Sequence, residues 1–450
     1  MSRYFGTDGF RGEANVVLTA DHAYAIGRFL GWYYGREHRA RIVIGKDTRR
    51  SIYMFESALC AGLAASGADA CTLHVTTTPS VAYVARTEDF DCGIMISASH
   101  NPFYDNGIKL LNGNGEKMEE TVIALVEDYL DGHGDEIAYA TGTDIGRIID
   151  YAAGRNRYMG YLMSLAVHSF QGVRIGLDCA NGSTWQIAKS VFDALGADTY
   201  VIHNEPDGVN INTNCGSTHM ENLRRLVREN GLDVGFAFDG DADRCLAVDE
   251  RGNLVNGDQI MYLCARSMKE QGLLGDTHLV TTVMSNIGLY KALDALGIGY
   301  EKTRVGDRFV WECMRAGGHL IGGEQSGHII FAKHATTGDG MITALKIMEA
   351  MLGRKQPLSQ LVAPVTISPQ VLKNVVVTDK DTAMQNAAVQ AAVQRCEARL
   401  GDSGRMLLRK SGTEPLLRVM AEAETDEACH QAVDEVIDAM RAEGLLVRVK

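Results

Sequence analysis

Three carboxylates stand at alternate positions in Asp239-Gly240-Asp241-Ala242-Asp243-Arg244, directly after the apolar run Val234–Phe238. So much negative charge in one turn is unfavourable unless a cation shares it, and oxygen-only ligands suit a hard ion such as Mg²⁺ or Ca²⁺. An EF-hand is rejected. Glu250 does fall at the twelfth loop position counted from Asp239, but Arg244 stands where that loop needs glycine, and the flanks read as strands. The competing reading is a solvated acidic turn.

Four other stretches carry candidate chemistry. Ser97-Ala98-Ser99-His100-Asn101-Pro102 follows an apolar strand at 91–97, the place where α/β folds expose reactive groups. Pro102 stiffens the loop, and Ser99 beside His100 suggests a Ser-His nucleophile. Adjacent residues rarely point the right way for that, and a G-x-S-x-G elbow is lacking. Arg409, Ser411, Gly412, Thr413 and Arg418 supply two guanidiniums, two hydroxyls and a flexible backbone, an anion cradle whose natural guest is phosphate. A hairpin with surface arginines would read the same. In Gly323-Glu324-Gln325-Ser326-Gly327-His328, the alternation puts Glu324 and Ser326 on one side of an extended loop, suited to sugar hydroxyls or an amine. His328 is a candidate proton shuttle or phosphate contact. Gly6-Thr7-Asp8-Gly9-Phe10-Arg11-Gly12 permits close backbone approach, but it is no G-x-G-x-x-G and follows no strand, which argues against a dinucleotide site. Arg11 is its candidate.

Alternating strands and helices must position these groups. Ile26, Phe29, Leu30 and Tyr33 repeat at helical spacing before a strand at 41–45; a helix at 57–67 and a strand at 71–75 follow. A second series holds strands at 173–178, Val234–Phe238 and Cys245–Asp249, with Ser183 as N-cap of a helix to Leu195. A third, from 257, has a strand at 279–284 and helices at Ile287–Leu296, 309–316 and 341–352. Pro357, Pro364 and Pro369 mark a linker. Beyond it come a strand (374–378), a helix (382–400), two strands (406–409 and 416–422) and a helix (427–443), an α+β pattern with a largely antiparallel sheet. The expectation is three similar mixed α/β domains at 1–153, 154–253 and 254–367, carrying the serine, the acidic and the Gly323–His328 stretches in turn. A smaller C-terminal α+β domain follows at 368–450.

The chain has 450 residues with 44 basic and 57 acidic side chains, a net charge of −13, which disfavours general binding to nucleic acid or anionic membrane. Its 10 cysteines form no C-x-x-C pair, so reduced thiols are expected rather than a zinc site or disulfide framework. The N-terminus lacks an apolar leader, and no apolar stretch approaches the ~18–20 residues that span a bilayer. A cytoplasmic protein is expected.

Taken in order, GTDGFRG, SASHNP with NGIKL behind it, DGDADR, GEQSGH and RKSGTEP resemble the α-D-phosphohexomutases across the whole chain, from Gly6 to Arg418. GEQSGH and VGDRFV are similar to the phosphoglucosamine mutase branch. The resemblance implies four domains around a central cleft, the last a mobile lid. It implies that Ser99 is a phosphoserine and that Asp239, Asp241 and Asp243, with its phosphate, hold one Mg²⁺ per subunit. Glu324, Ser326 and Arg244 would contact substrate, and Arg409, Ser411, Gly412, Thr413 and Arg418 the non-reacting phosphate. Arg11, Lys109 and His328 would assist proton transfer or neutralise charge. The implied reaction interconverts glucosamine 6-phosphate and glucosamine 1-phosphate through glucosamine 1,6-bisphosphate, which also serves as activator, and feeds UDP-N-acetylglucosamine and cell-wall precursor synthesis. A homodimer is implied, with sugar phosphates as the only partners. Two positions depart from the family pattern: Ala242 stands for a more usual glycine and Phe10 for a small aliphatic residue. The alternatives are a phosphoglucomutase or phosphomannomutase, a non-catalytic sugar-phosphate sensor and a metal-dependent phosphatase.

Overall fold

The computed structural model describes residues 3–133, 136–411 and 416–450. Runs of aliphatic residues without polar alternation, as in Arg41–Lys46 and Cys92–Ile96, are what a sheet covered on both faces requires, and both strands are buried almost throughout. They lie at the centre of a seven-stranded sheet ordered Phe5–Gly6, Gly9–Glu13, Asp105–Asn112, Cys92–Ile96, Arg41–Lys46, Asp69–Val75, Ile148–Asp150. The Thr19 hydroxyl caps the helix Ala20–Tyr34, which buries Ala23, Ile26 and Leu30 in the core of this sheet along with Leu59 and Leu63 from the helix Ile52–Ala65.

A second sheet has five strands, in the order Leu254–Val255, Cys245–Asp249, Val234–Phe238, Arg174–Asp178, Asp198–Ile202; a third has four, Tyr300–Thr303, Leu279–Thr282, Ile321–Gly323, Ile329–Phe331. One topological event recurs in all three. A strand paired in parallel on one side turns back into an antiparallel neighbour on the other. Cys92–Ile96 turns into Asp105–Asn112, Val234–Phe238 into Cys245–Asp249, and Ile321–Gly323 into Ile329–Phe331. The three connections carry Ser99, the three aspartates and Glu324–His328 respectively. Parallel strands send their carboxyl ends to one side of a sheet, which is where such folds place ligands.

The chain divides into two compact units, one of Met1–Met284 with Ile298–Ala363 and one of Ser285–Gly297 with Pro364–Lys450. The second has an antiparallel sheet ordered Arg405–Lys410, Leu417–Glu422, Gln370–Val377, Leu446–Val449. Helices Ala387–Leu400 and Asp426–Ala442 bury Val389, Cys396, Val433 and Val436 in its core. Glu422, fully buried, ties the unit together: it accepts from Arg405 Nε at 2.8 Å, Gln370 Nε2 at 2.6 Å and the Ile287 N–H at 2.9 Å.

Three local expectations change. Ser183 does not cap a helix; that helix starts at Ile187, and the Ser183 N–H instead donates to Gly240 O at 2.9 Å, bracing the acidic turn. The helix expected over 382–400 is broken into Lys380–Gln385 and Ala387–Leu400, because Asn386 takes an extended backbone and its side chain caps the second piece. Glu324–Gly327 is a tight turn rather than an extended loop: Gly327 lies at φ +92° and its N–H donates to Glu324 O at 3.0 Å. Two adjacent strands, Asp105–Asn112 and Gly9–Glu13, go beyond the sequence reading, and they carry Lys109 and Arg11.

Candidate active site

Ser99 lies in the connection between Cys92–Ile96 and Asp105–Asn112 at φ +52°, a left-handed conformation that costs a non-glycine residue roughly 1–2 kcal/mol. A buried scaffold holds it there. Arg49 is fully buried, and its Nη2 donates to Ser99 O at 2.8 Å and Asn101 O at 2.9 Å. Its Nη1 donates to Asp105 O at 3.0 Å and also to Pro102 O, and its Nε donates to Asp47 at 2.8 Å. Asp47 accepts from Ser97 Oγ at 2.7 Å, and Ser97 Oγ accepts from the Ser99 N–H at 3.0 Å. From the second sheet's side, Asn212 Nδ2 donates to the same two carbonyls, Ser99 O at 2.8 Å and Asn101 O at 3.0 Å. Gly240 is needed here, since a Cβ on it would lie 2.5 Å from Ser99 O.

This scaffold delivers the serine to the acidic turn. Ser99 Oγ donates to Asp239 Oδ2 at 2.5 Å, and its contact with His100 Nδ1 is longer, 3.3 Å. Burial, followed by the nearby Arg244 and Arg11, pushes His100 down to about 4, so its imidazole is neutral. Asp239, Asp241 and Asp243 are all buried, and each offers one carboxylate oxygen within 4.8 Å of the other two. Burial, reinforced by Asp243 and Asp241, pushes Asp239 well above the ordinary carboxylate range. At Asp243 burial acts the same way, but Lys109, His328 and Arg244 outweigh it and hold the carboxyl well below that range.

Lys109 is the internal counter-charge. Its Nζ lies 2.6 Å from Asp241, 3.2 Å from Asp243 and 3.0 Å from Asp8. Burial disfavours the ammonium, yet the three carboxylates win and raise it well above its usual value, so it stays charged. Even so, Asp241 Oδ1 and Asp243 Oδ1 are buried without a hydrogen-bond donor among the described residues. Two orphaned buried oxygens beside the Ser99 hydroxyl, in an all-oxygen donor set, fit a hard divalent cation. Glu250, the residue that an EF-hand would have used, accepts instead from the Ser359 N–H at 3.2 Å.

Of the remaining candidates of this unit, Arg11, Arg244 and His328 gather around the same turn. Arg11 pairs with Asp8, which also meets Lys117 at 3.0 Å; Lys117 in turn meets Asp307 at 2.7 Å. The Arg244 N–H donates to Asp239 Oδ1 at 3.2 Å, and its guanidinium Nε lies 3.9 Å from Asp243 without a hydrogen-bond partner among the described residues. Two influences oppose each other at His328. Burial disfavours charge, but Asp307 and Asp243 push the imidazole up to about 9, with Nδ1 3.7 Å from Asp243. Against this, the Gly338 N–H donates to Nε2 at 3.0 Å, which requires a lone pair there. That hydrogen bond favours a proton on Nδ1, facing Asp243, whereas Nε2 also lies 3.4 Å from Asp307, which favours the charged ring. Glu324 Oε1 accepts from the Gly306 N–H at 3.0 Å, while Ser326 is exposed.

Arg409, Ser411 and Arg418 belong to the second unit. Arg409 and Arg418 face each other across the strand pair Arg405–Lys410 and Leu417–Glu422, and the Ser411 N–H closes the hairpin on Leu416 O at 2.9 Å. The Nε of each arginine is buried without a hydrogen-bond partner among the described residues. Burial, then Arg418, depresses Arg409. Gly412 and Thr413 lie outside the described residues.

The sequence reading missed Asp47, Arg49, Asn212, Lys117 and Asp307 as parts of the site. The signal for the first two was available: the polar run Lys46-Asp47-Thr48-Arg49-Arg50-Ser51 leaves the carboxyl end of a buried parallel strand.

Matches to known families cover these elements in order. Residues 2–135, 156–252 and 256–366 match the alpha/beta/alpha domains I, II and III of the phosphoglucomutase/phosphomannomutase family, and residues 372–439 match its C-terminal domain. The chain belongs to this family of phosphohexomutases. Within it, the chain is 66% identical over 450 residues to the phosphoglucosamine mutase of Lachnospira eligens, covering 99% of this chain and 100% of that one. In fold it is similar to a phosphoglucomutase/phosphomannomutase family protein from Burkholderia thailandensis (TM-score 0.80, 22% identity, covering 99% and 98% of the two chains). It is also similar to the Aspergillus fumigatus N-acetylphosphoglucosamine mutase crystallised with GlcNAc-6P and magnesium (TM-score 0.70, 18% identity, 99% and 96%).

Proposed function

We propose that the chain is a phosphoglucosamine mutase, interconverting glucosamine 6-phosphate and glucosamine 1-phosphate, with Ser99 giving and taking the phosphoryl group. The observation that carries this reading is the placement of Ser99 Oγ, 2.5 Å from Asp239 and locked into a left-handed backbone by the buried Arg49. The 66% identity to a phosphoglucosamine mutase supports the choice of sugar.

Asp239, Asp241 and Asp243, with the Ser99 phosphate, would hold one Mg²⁺. When bound, that ion supplies positive charge beside a phosphoryl group. Phosphoryl transfer is mostly positioning and charge stabilisation, which suits a rigid loop and fixed cations. The free sugar hydroxyl forms a bond to phosphorus as the P–Oγ bond of the phosphoserine breaks, giving glucosamine 1,6-bisphosphate. The intermediate turns over, its other phosphate passes to Ser99 Oγ, and the sugar oxygen left behind regains a proton. The proton lost by one hydroxyl is thus matched by the one regained at the other. Lys109, charged and clamped by Asp241, Asp243 and Asp8, balances charge rather than accepting a proton. Arg11 and Arg244 add charge beside it, and His328 acts through Asp243. Glu324 and Ser326 contact the sugar. Arg409, Ser411 and Arg418, with Gly412 and Thr413, hold the phosphate that is not reacting. A cytoplasmic homodimer belongs to the same reading; all ten cysteines are free thiols, as a reducing compartment allows.

The decisive assay supplies glucosamine 6-phosphate, Mg²⁺ and a bisphosphate primer, beside parallel reactions on glucose and mannose phosphates. A higher kcat/KM on the amino sugar is expected, with a phosphate adduct mapping to Ser99 by mass spectrometry. Higher efficiency on glucose or mannose would reassign the substrate. Phosphate release without isomer formation would overturn the mutase reading altogether.

A further inference from the structure

Away from the acidic turn, a cavity of about 270 Å³ lies between the helices Gly257–Glu270 and Gly340–Arg354, with the strand Ile329–Phe331 contributing to its lining. Its walls are mainly apolar, with Cys264 and Met268 from the first helix and Leu320 and Phe331 at the sheet. Val167 and Leu273, also on its lining, are 85% and 44% exposed, leaving an apolar lip open to solvent.

The polar groups in this wall are unbalanced. Lys346, part-buried on the helix Gly340–Arg354, has no hydrogen-bond or ion-pair partner among the described residues, and neither has the exposed Lys333. Burial depresses the Lys346 ammonium below its ordinary value. Glu349, one turn on, is already engaged. Its Oε1 accepts from the Val167 and His168 N–H groups at 2.9 and 3.1 Å, and its Oε2 lies 2.7 Å from His168 Nδ1. The wall is therefore apolar with two lysines at its edge, which the carboxylate of Glu349, shared with His168, offsets only in part. Sugar phosphates are poor guests, because apolar walls would strip water from their hydroxyls without replacing it. An anionic head on an apolar body satisfies both features.

We propose that this cavity is a second ligand site, separate from the mutase centre, that takes a small organic anion: a compact aryl or short alkyl body against the apolar wall, with its carboxylate or sulfonate on Lys346 and Lys333. It does not depend on which sugar phosphate the enzyme turns over.

Titration calorimetry on the full chain tests it, with phenylbutyrate as the probe and phenylbutanamide as its uncharged counterpart. Phenylbutyrate should bind the wild type at least about ten-fold more tightly than the amide, as expected for one charge-assisted contact. Lys346→Met should remove that difference, and Lys346→Arg should restore most of it, which separates loss of the cation from loss of folding. Saturating glucosamine 6-phosphate should leave phenylbutyrate binding unchanged. Equal affinity for acid and amide, undiminished binding to Lys346→Met, displacement by the sugar phosphate, or no binding to the wild type at millimolar concentration would each overturn the proposal.

Discussion

Lys109 lies 2.6 Å from Asp241 and 3.0 Å from Asp8, whereas Arg409 and Arg418 face each other across a strand pair with no carboxylate partner among the described residues. Around the acidic turn, Lys109 and Arg244 answer part of the buried negative charge, and Asp241 and Asp243 each keep one carboxylate oxygen without a donor among the described residues. In the tail unit, two cations share one ladder position, an arrangement that is destabilising unless an anion joins them. The first region is braced by its own ion pairs and hydrogen bonds. In the second, Arg409 and Arg418 have no anionic partner among the described residues, and a bound anion would relieve their repulsion. This difference suits the proposed reaction, which asks for a rigid reacting centre and separate cations for the phosphate that does not react.

The largest test of the rigid region is Ser99→Ala. Activity should fall by about a thousand-fold or more, because the proposed phosphoryl carrier is gone, while the thermal midpoint stays within a few degrees. Retained turnover would remove the nucleophile from the scheme. Arg49→Ala comes next. Losing one partner of a buried ion pair costs about 3–5 kcal/mol, so a clear drop in melting temperature is expected. kcat should fall by roughly a hundred-fold, since misplacing the reacting group by about an ångström costs that much, with KM changed far less. Arg49→Lys cannot reproduce the five donors and should rescue stability better than kcat. Rescue of both together would show that Arg49 contributes only to the fold.

The tail predicts the opposite signature. Arg409→Ala or Arg418→Ala should raise KM by about ten- to a hundred-fold, the worth of one charged hydrogen bond to phosphate at ~1.5–3 kcal/mol. Removing either also relieves the like-charge pair, so the melting temperature should hold or rise. A fall in stability with an unchanged KM would mean that the arginines serve the fold. The smallest effect is reserved for Ala242→Gly. Ala242 is buried at φ +58°, where glycine removes roughly 1–2 kcal/mol of backbone strain but loses part of that gain to unfolded-state entropy. A shift of about 1 kcal/mol or less by denaturant titration, with unaltered kcat, is expected. It would show that this departure from the family pattern is tolerated and not functional.

The aspartates, the serine loop and the Glu324–His328 stretch could be found in the sequence because each packs its chemistry into a few consecutive residues beside a readable strand. Asn212 could not, and for Arg49 the polar run marked the residue but not its part in the site. Each is one polar residue in an ordinary-looking loop, and its role is to hold carbonyls of the loop around residues 99–105, in Arg49's case at least 50 positions away. Lys109 was named only through family resemblance. The strand Asp105–Asn112 that aims it alternates too little to stand out, because it is buried on both faces.

What residue order determined is therefore local: which loops carry acids, hydroxyls or guanidiniums, and that alternating strands and helices bear them. The tertiary structure decided which of these meet. It bent Ser99 onto Asp239, paired Lys109 with acids from two other segments, and directed the Ser183 amide onto Gly240 instead of a helix end. The physical reason is range. Capping, strand propensity and turn chemistry act over a few residues, whereas the field at a buried carboxylate is set by whichever charges the packing brings within a few ångströms.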